Sequence, residues 1–308
     1  MTPIFAKAYP PEEVFFTADD CENRNEPTKV LLCTPEYFEV KEGNNVYMQN
    51  NIGRVNKEKA KEQWNHLHTL YLQLKSAEII EDVFVVDGAE DFEDMVFCAN
   101  QSFPWTTWGG EKIVVMSNMK HESRQNEVVY FEDFYKDHGY KIFNIQSRYH
   151  FEGMGDMVPH PAKRLLYGGY GLRTDKQVYD EISRMLDTPI LLLELINENF
   201  YHLDTCFLPL NANEVIIAPG AFSDESLVII KKMFEAVYEI PFHEATDGFA
   251  CNAHIVYGHK SKSAAIIQKN NPVTLNILQQ NSFKVLETDT SEFIKSGGSV
   301  FCMKMMVY

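Results

Sequence analysis

Four polar residues recur at intervals of fifty positions: Glu152, His202, Asn252 and Cys302. Three of these types suit substitution at an electron-poor carbon. A thiol is a weak nucleophile until it becomes a thiolate, so Cys302 needs a nearby cation or base. His202 is suited to protonate a departing amine and then to take a proton from water. Glu152 and Asp156 bracket two glycines in Phe151-Glu152-Gly153-Met154-Gly155-Asp156, where both can reach a small ligand. Buried together, two carboxylates repel each other unless a cation lies between them. A guanidinium, planar and fork-shaped, meets that demand. Asp94, just before Met95-Val96-Phe97, adds a third acid. In Tyr201-His202-Leu203-Asp204-Thr205, strand alternation places Asp204 on the face of His202.

These groups support one reaction. Carboxylates hold a guanidinium and sharpen its carbon as an electrophile. Cys302 attacks, His202 protonates the leaving ammonia, and a covalent thiouronium remains until His202 activates water. Taken singly, each group also has an ordinary structural role: a buried thiol, a hydrogen-bonded histidine, a solvated acidic turn.

Such residues meet only if a repeated element carries each of them. Strand-like runs occur at residues 95–99, 157–158, 203–208, 249–253 and 299–305. A second strand is expected after each of the first four, at 112–117, 164–167, 214–218 and 254–257. Helical patterning follows at 127–137, 176–186, 225–234 and 272–280, then a third strand at 140–144, 189–193, 238–242 and 283–288. Each unit reads ββαβ, and a recurrence near fifty residues marks a repeated supersecondary unit. The fifth unit is split between the termini. Its first strand is 299–305, its second Lys29–Cys33, its helix Lys57–Ser76 and its third strand 83–86. The expected fold is an α/β five-bladed propeller of ββαβ modules, the fifth closed by the N- and C-terminal segments, with first strands around a central axis. The chain is read as a single catalytic domain over 1–308, with 1–27 as an extended lead-in and 42–54 as a loop.

Composition narrows the alternatives. Lys and Arg total 28 against 44 Asp and Glu, for a formal charge of -16, and no basic run is present, which argues against nucleic acid as a partner. No apolar stretch is long enough to span a membrane, and the first nine residues do not resemble a secretory signal, so a cytoplasmic location is expected. The six cysteines include no CxxC pair and the histidines form no HExxH motif, so neither a metal nor any other cofactor is expected. The expected partner is a small cationic substrate; a homo-oligomer is left open.

The ordered motifs resemble the guanidino-modifying, or pentein, superfamily of arginine deiminases, dimethylargininases and amidinotransferases. They are most similar to the catalytic domain of cyanobacterial arginine dihydrolases. The resemblance rests on Glu93-Asp94-Met95-Val96-Phe97-Cys98-Ala99-Asn100, the Phe151–Asp156 and Tyr201–Phe207 segments, Phe249-Ala250-Cys251-Asn252 and Gly297-Gly298-Ser299-Val300-Phe301-Cys302. It implies a five-bladed propeller with Cys302 as nucleophile, His202 as general acid and base, and Glu152 as the guanidinium-holding carboxylate. It further implies that Asp156 and Asp204 contact the guanidinium, that Arg173 and Arg124 bind the substrate carboxylate, and that Asn45 belongs to a substrate loop. Asn100 matches an asparagine associated with two rounds of hydrolysis, from arginine to ornithine, carbon dioxide and two ammonia. The alternatives are a single-step arginine deiminase or dimethylargininase giving citrulline and, in another class, an inactive propeller serving as a binding protein. Gln101, Met154 and Val46-Tyr47 depart from the dihydrolase pattern near the pocket. Those relatives can carry a second C-terminal domain, which is not expected here.

Overall fold

Short apolar strands bury too little surface to stand alone, and in this chain they assemble in threes. The computed structural model describes residues 4–258 and 263–308. Among the described residues, five separate small sheets form, each with its first strand antiparallel to the second and the second parallel to the third. Parallel neighbours require a crossover, and in every module it includes a helix of nine residues or more. In the first, Ser102–Thr106 pairs with Lys112–Met116, the helix Val128–Asp137 follows, and Lys141–Asn144 completes the sheet.

The chain divides into two compact units, each drawn from two stretches of sequence: 1–26 with 100–239, and 27–99 with 240–308. The first unit holds three modules. Its middle sheet joins Met157–Pro159, Leu166–Tyr170 and Ile190–Glu194, and gains a fourth strand from Ala8–Tyr9, which runs parallel to Ile190 and Leu191. The lead-in is thus part of the fold, and Phe16 and Cys21 within it are buried; residues 1–3 of that segment lie outside the described residues.

The second unit holds two modules. In one, the C-terminal strand Lys304–Val307 pairs antiparallel with Lys29–Cys33, which pairs in parallel with Asp82–Val86. The expected joining of the two ends of the chain in one module is therefore present. The helix Lys57–Ser76 starts at Asn56, whose Oδ1 accepts from the Lys59 N–H at 3.1 Å. It buries Ala60, Trp64, Leu67, Tyr71 and Leu74, spaced to form one stripe. Each large side chain in that stripe contributes roughly 2 kcal/mol by leaving water. Cys302 and Met303 belong to the same apolar cluster.

Two expectations need correction. Residues 254–257 form the first strand of their module, His254–Tyr257, and the second strand is Ser263–Gln268. The runs read as first strands at 95–99, 203–208 and 249–253 instead begin in or follow short helical turns, Glu93–Val96, Leu203–Thr205 and Ala250–Asn252, whereas the strand expected at 157–158 is present as Met157–Pro159, just after the turn Gly153–Asp156. No helix among the described residues is long and apolar enough to cross a membrane.

Candidate active site

Placing a polar side chain on a turn frees it from sheet alternation, and the first unit exploits this. His202 precedes the turn Leu203–Thr205, where the Thr205 N–H and hydroxyl both donate to the His202 carbonyl, at 3.2 and 2.7 Å. The alternation that put His202 and Asp204 on one strand face is therefore wrong, because the strand begins only at Phe207. Asp204 is buried within the turn. Gly153, at φ 57°, opens the turn that carries Asp156.

Glu152 is fully buried and strongly partnered. Its Oε1 accepts from the Lys120 N–H at 3.1 Å. Its Oε2 accepts from Arg173 Nη1 at 3.2 Å and lies 2.6 Å from His202 Nε2. Burial alone would raise its pKa, but Arg173, the His202 hydrogen bond and Arg124 outweigh that and hold the carboxyl well below the usual range. Asp156 behaves oppositely. Burial, reinforced by the Glu152 charge, pushes its pKa up to about 6, although His202, the Thr174 hydroxyl and the Leu203 N–H pull the other way. The Thr174 hydroxyl donates to Asp156 Oδ2 at 2.7 Å and the Leu203 N–H to Oδ1 at 3.1 Å. Two adjacent carboxyls with divided pKa values are what a site needs to hold a cation and also exchange a proton.

Read alone, Arg173 and Arg124 would be surface arginines; both are buried. Arg173 also lies over the Tyr201 ring, 4.8 Å from its centroid. Arg124 donates through Nη1 to Asn100 Oδ1 at 3.1 Å and pairs with Glu127 at 2.6 Å. Gly155 lies between: a Cβ there would overlap the Asn100 Nδ2 and come within 3.4 Å of the His202 ring. The first unit thus brings together Glu152, Asp156, His202, Arg173, Arg124 and Asn100. Thr174 and Glu127 were missed by the sequence reading. Their only signals were adjacency to Arg173 and the three-residue spacing from Arg124.

The second unit holds Cys302, Asp94 and Asn45. The Cys302 sulfur accepts from Asn252 Nδ2 at 3.1 Å, while Asn252 Oδ1 accepts from the Ser299 and Cys302 N–H groups at 3.1 and 3.2 Å. One amide side chain therefore fixes both the loop and the thiol. Asn252 belonged to the fifty-residue series, but no role was assigned to it. Gly297 has φ 88°, and a Cβ on Gly298 would overlap the Phe97 ring, so the glycine pair permits the approach expected before Cys302. Ser296 ties down the other two residues: its hydroxyl donates to Asp94 Oδ1 at 2.9 Å and its carbonyl accepts from Asn45 Nδ2 at 3.0 Å. Asn45 Oδ1 also accepts from the Tyr47 and Met48 N–H groups, at 2.9 and 3.0 Å. Among the described residues, no group of three or more His, Cys, Asp or Glu is placed to hold a metal ion.

Known proteins carry related sequences. The family model described as N,N dimethylarginine dimethylhydrolase, eukaryotic, matches residues 34–308. The chain belongs to this family. The chain is 32% identical to the bifunctional arginine dihydrolase/ornithine cyclodeaminase ArgZ of Synechocystis, over 91% of its own length and 37% of ArgZ. It is 33% identical to the corresponding AgrE of Nostoc, over 91% of its length and 38% of AgrE. It thus spans little more than a third of those two relatives. A dimethylarginine dimethylaminohydrolase of Mycobacterium tuberculosis is 28% identical, over 91% of this chain and 86% of that protein. Among solved structures, the substrate-bound N-terminal domain of ArgZ superposes with a TM-score of 0.82 at 32% identity, covering 90% of this chain and 97% of that domain. A dimethylarginine dimethylaminohydrolase adduct, at 19% identity and TM-score 0.72, shares the family's α/β fold.

Proposed function

We propose that this chain hydrolyses the guanidinium group of free L-arginine through Cys302, in two rounds, to ornithine, carbon dioxide and two ammonia. The observation that carries this reading is the ionised, fully buried Glu152 with His202 Nε2 held at 2.6 Å. A buried carboxylate held as an anion by Arg173 can accept guanidinium N–H groups, and a histidine beside it is positioned for proton transfer.

In this reading the five modules are the blades of one propeller and 1–308 acts as one catalytic domain. Glu152 receives two guanidinium N–H groups, with Asp156, Asp204 and Asp94 around them. The Cys302 thiolate adds to the central carbon, and His202 gives the departing nitrogen its proton, releasing ammonia and leaving a thiouronium. Water, deprotonated by His202, adds to the same carbon, and the C–S bond breaks, returning Cys302 as the thiolate and leaving the ureido group. The second round cleaves that ureido group with another water, giving ornithine, carbon dioxide and ammonia. Arg173 and Arg124 receive the α-carboxylate, and Asn45 steadies the loop over the substrate. The domain of ArgZ bound to substrate supports arginine as ligand, and Asn100, which matches the asparagine of the dihydrolase motif, supports two rounds. A cytoplasmic setting accords with six buried thiols.

The second reading is single-round hydrolysis to citrulline, favoured by the family to which the chain belongs. Chromatography of products from arginine, monomethylarginine and agmatine decides between them. Two ammonia and one ornithine per arginine are expected, with all release lost in Cys302→Ser. Citrulline with one ammonia overturns the two-round reading, and an active Cys302→Ser overturns the chemistry.

A further inference from the structure

One buried carboxylate in the first unit, Glu127, has no part in the reaction as drawn, yet it holds two residues that do, Arg124 directly and Asn100 through it. Glu127 is fully buried. Its Oε1 accepts from Arg124 Nε at 2.9 Å and from Gln101 Nε2 at 2.6 Å, and pairs with Arg124 Nη2 at 2.6 Å. Held by that anion, the same guanidinium extends Nη1 to Asn100 Oδ1 at 3.1 Å. Arginine only donates, so the amide must turn its oxygen towards Arg124 and its –NH2 away. The Asn100 Nδ2 so directed is buried and makes no hydrogen bond. It lies against Gly155, on the side the glycine shares with the His202 ring.

We infer that Glu127 is a positioning residue which, through Arg124, fixes the polarity of the Asn100 amide and so sets whether hydrolysis proceeds for a second round. This rests on the two-round reading above. The chemistry of the two stages explains why polarity matters. Arginine offers the site only N–H donors around its guanidinium carbon, and carboxylates satisfy them. The first round exchanges one nitrogen for an oxygen: arginine and water give the ureido compound and ammonia. The second takes that compound and water to ornithine, carbon dioxide and ammonia. The new oxygen is an acceptor, and a carboxylate facing it repels it. A fixed N–H donor holds it and keeps the carbon polarised for a second attack. Asn100 Nδ2 is such a donor, and its direction is imposed by a charge pair rather than left to rotate. Gln101, which departs from the dihydrolase pattern, fits into this network as a further donor to Glu127.

The test compares wild type, Glu127→Gln, Asn100→Asp and the double variant, each checked for fold by circular dichroism. Ornithine, citrulline and ammonia are measured per arginine consumed, so overall rate does not enter. Glu127→Gln is expected to lower the ornithine-to-citrulline ratio about tenfold, the factor for one lost neutral hydrogen bond. In the Asn100→Asp background, where the inward donor is already gone, the same change is expected to have no further effect. Should Glu127→Gln fail to fold, Arg124→Lys serves instead: it keeps a cation beside Glu127, lacks the fork that also reaches Asn100, and is expected to shift the ratio likewise. An unchanged ratio in the folded variant, or independent effects in the double, overturns the inference while wild type still makes ornithine. A wild type that stops at citrulline overturns the two-round reading and this inference with it, and that outcome is visible in the wild-type arm alone.

Discussion

Asp156→Asn separates an electrostatic cost from a packing role. The carboxyl is buried and its pKa is raised from 3.8 to about 6. A raised folded-state pKa means that the group's favourable contribution is complete below the unfolded value and is lost as pH rises through the folded one. The displacement of about two units corresponds to roughly 3 kcal/mol at 1.36 kcal/mol per unit. Asparagine keeps an acceptor for the Leu203 N–H and can donate to the Thr174 hydroxyl, which accepts as readily as it donates. The variant cannot ionise. Its unfolding free energy, measured by urea denaturation, should therefore gain on wild type by about 3 kcal/mol between roughly pH 4 and pH 7, and the gain should level off above the folded pKa. Comparing the two proteins at each pH cancels the other titrating groups. The same ionisation should appear in catalysis: wild-type kcat/KM rises through about pH 6 as Asp156 becomes an anion able to hold the guanidinium, and the variant lacks that limb. A stability difference that stays constant with pH, or a wild type that gains on the variant, refutes the reasoning.

Two further substitutions probe the thiol loop and the crowded glycine. Asn252→Asp keeps the acceptor for the Ser299 and Cys302 N–H groups but removes the donor to the sulfur and sets a negative charge beside it. Labelling of Cys302 by a haloacetamidine at neutral pH should slow by about 10- to 100-fold, as expected for one to two units of thiol pKa; an unchanged rate denies the amide that role. Gly155→Ala puts a methyl into the Asn100 amide. It should cost about 1–3 kcal/mol in thermal unfolding and at least about tenfold in kcat, since overpacking here displaces the amide beside His202; full activity contradicts the crowding.

The legible parts of the sequence were those with a strong period. The helix Lys57–Ser76 and the strand Lys29–Cys33 match their expected bounds, because a long amphipathic stripe and a compact apolar run leave little latitude. The strand Ser263–Gln268 was missed because Ala264 and Ala265 carry little β signal and His254–Tyr257 had already been taken as the second strand. The segments carrying Asp204 and Asn252 were read as strands, since turns of three or four residues have no period to read. Buried partners posed a different problem. Glu127 and Thr174 owe their roles to contacts that only folding creates, and a charged residue near an arginine in sequence looks the same whether it is solvated or wholly enclosed. Asn252 could have been named from its place in the series, because the same interval that marked Cys302 also marked the amide that holds it.

The most direct measurement of the catalytic claim is rapid acid quenching of the enzyme during turnover of arginine, followed by intact mass and peptide mapping. The account predicts an adduct with the mass of arginine less ammonia, on the peptide containing Cys302. Turnover without any such adduct, or an adduct on one of the other five cysteines, contradicts it.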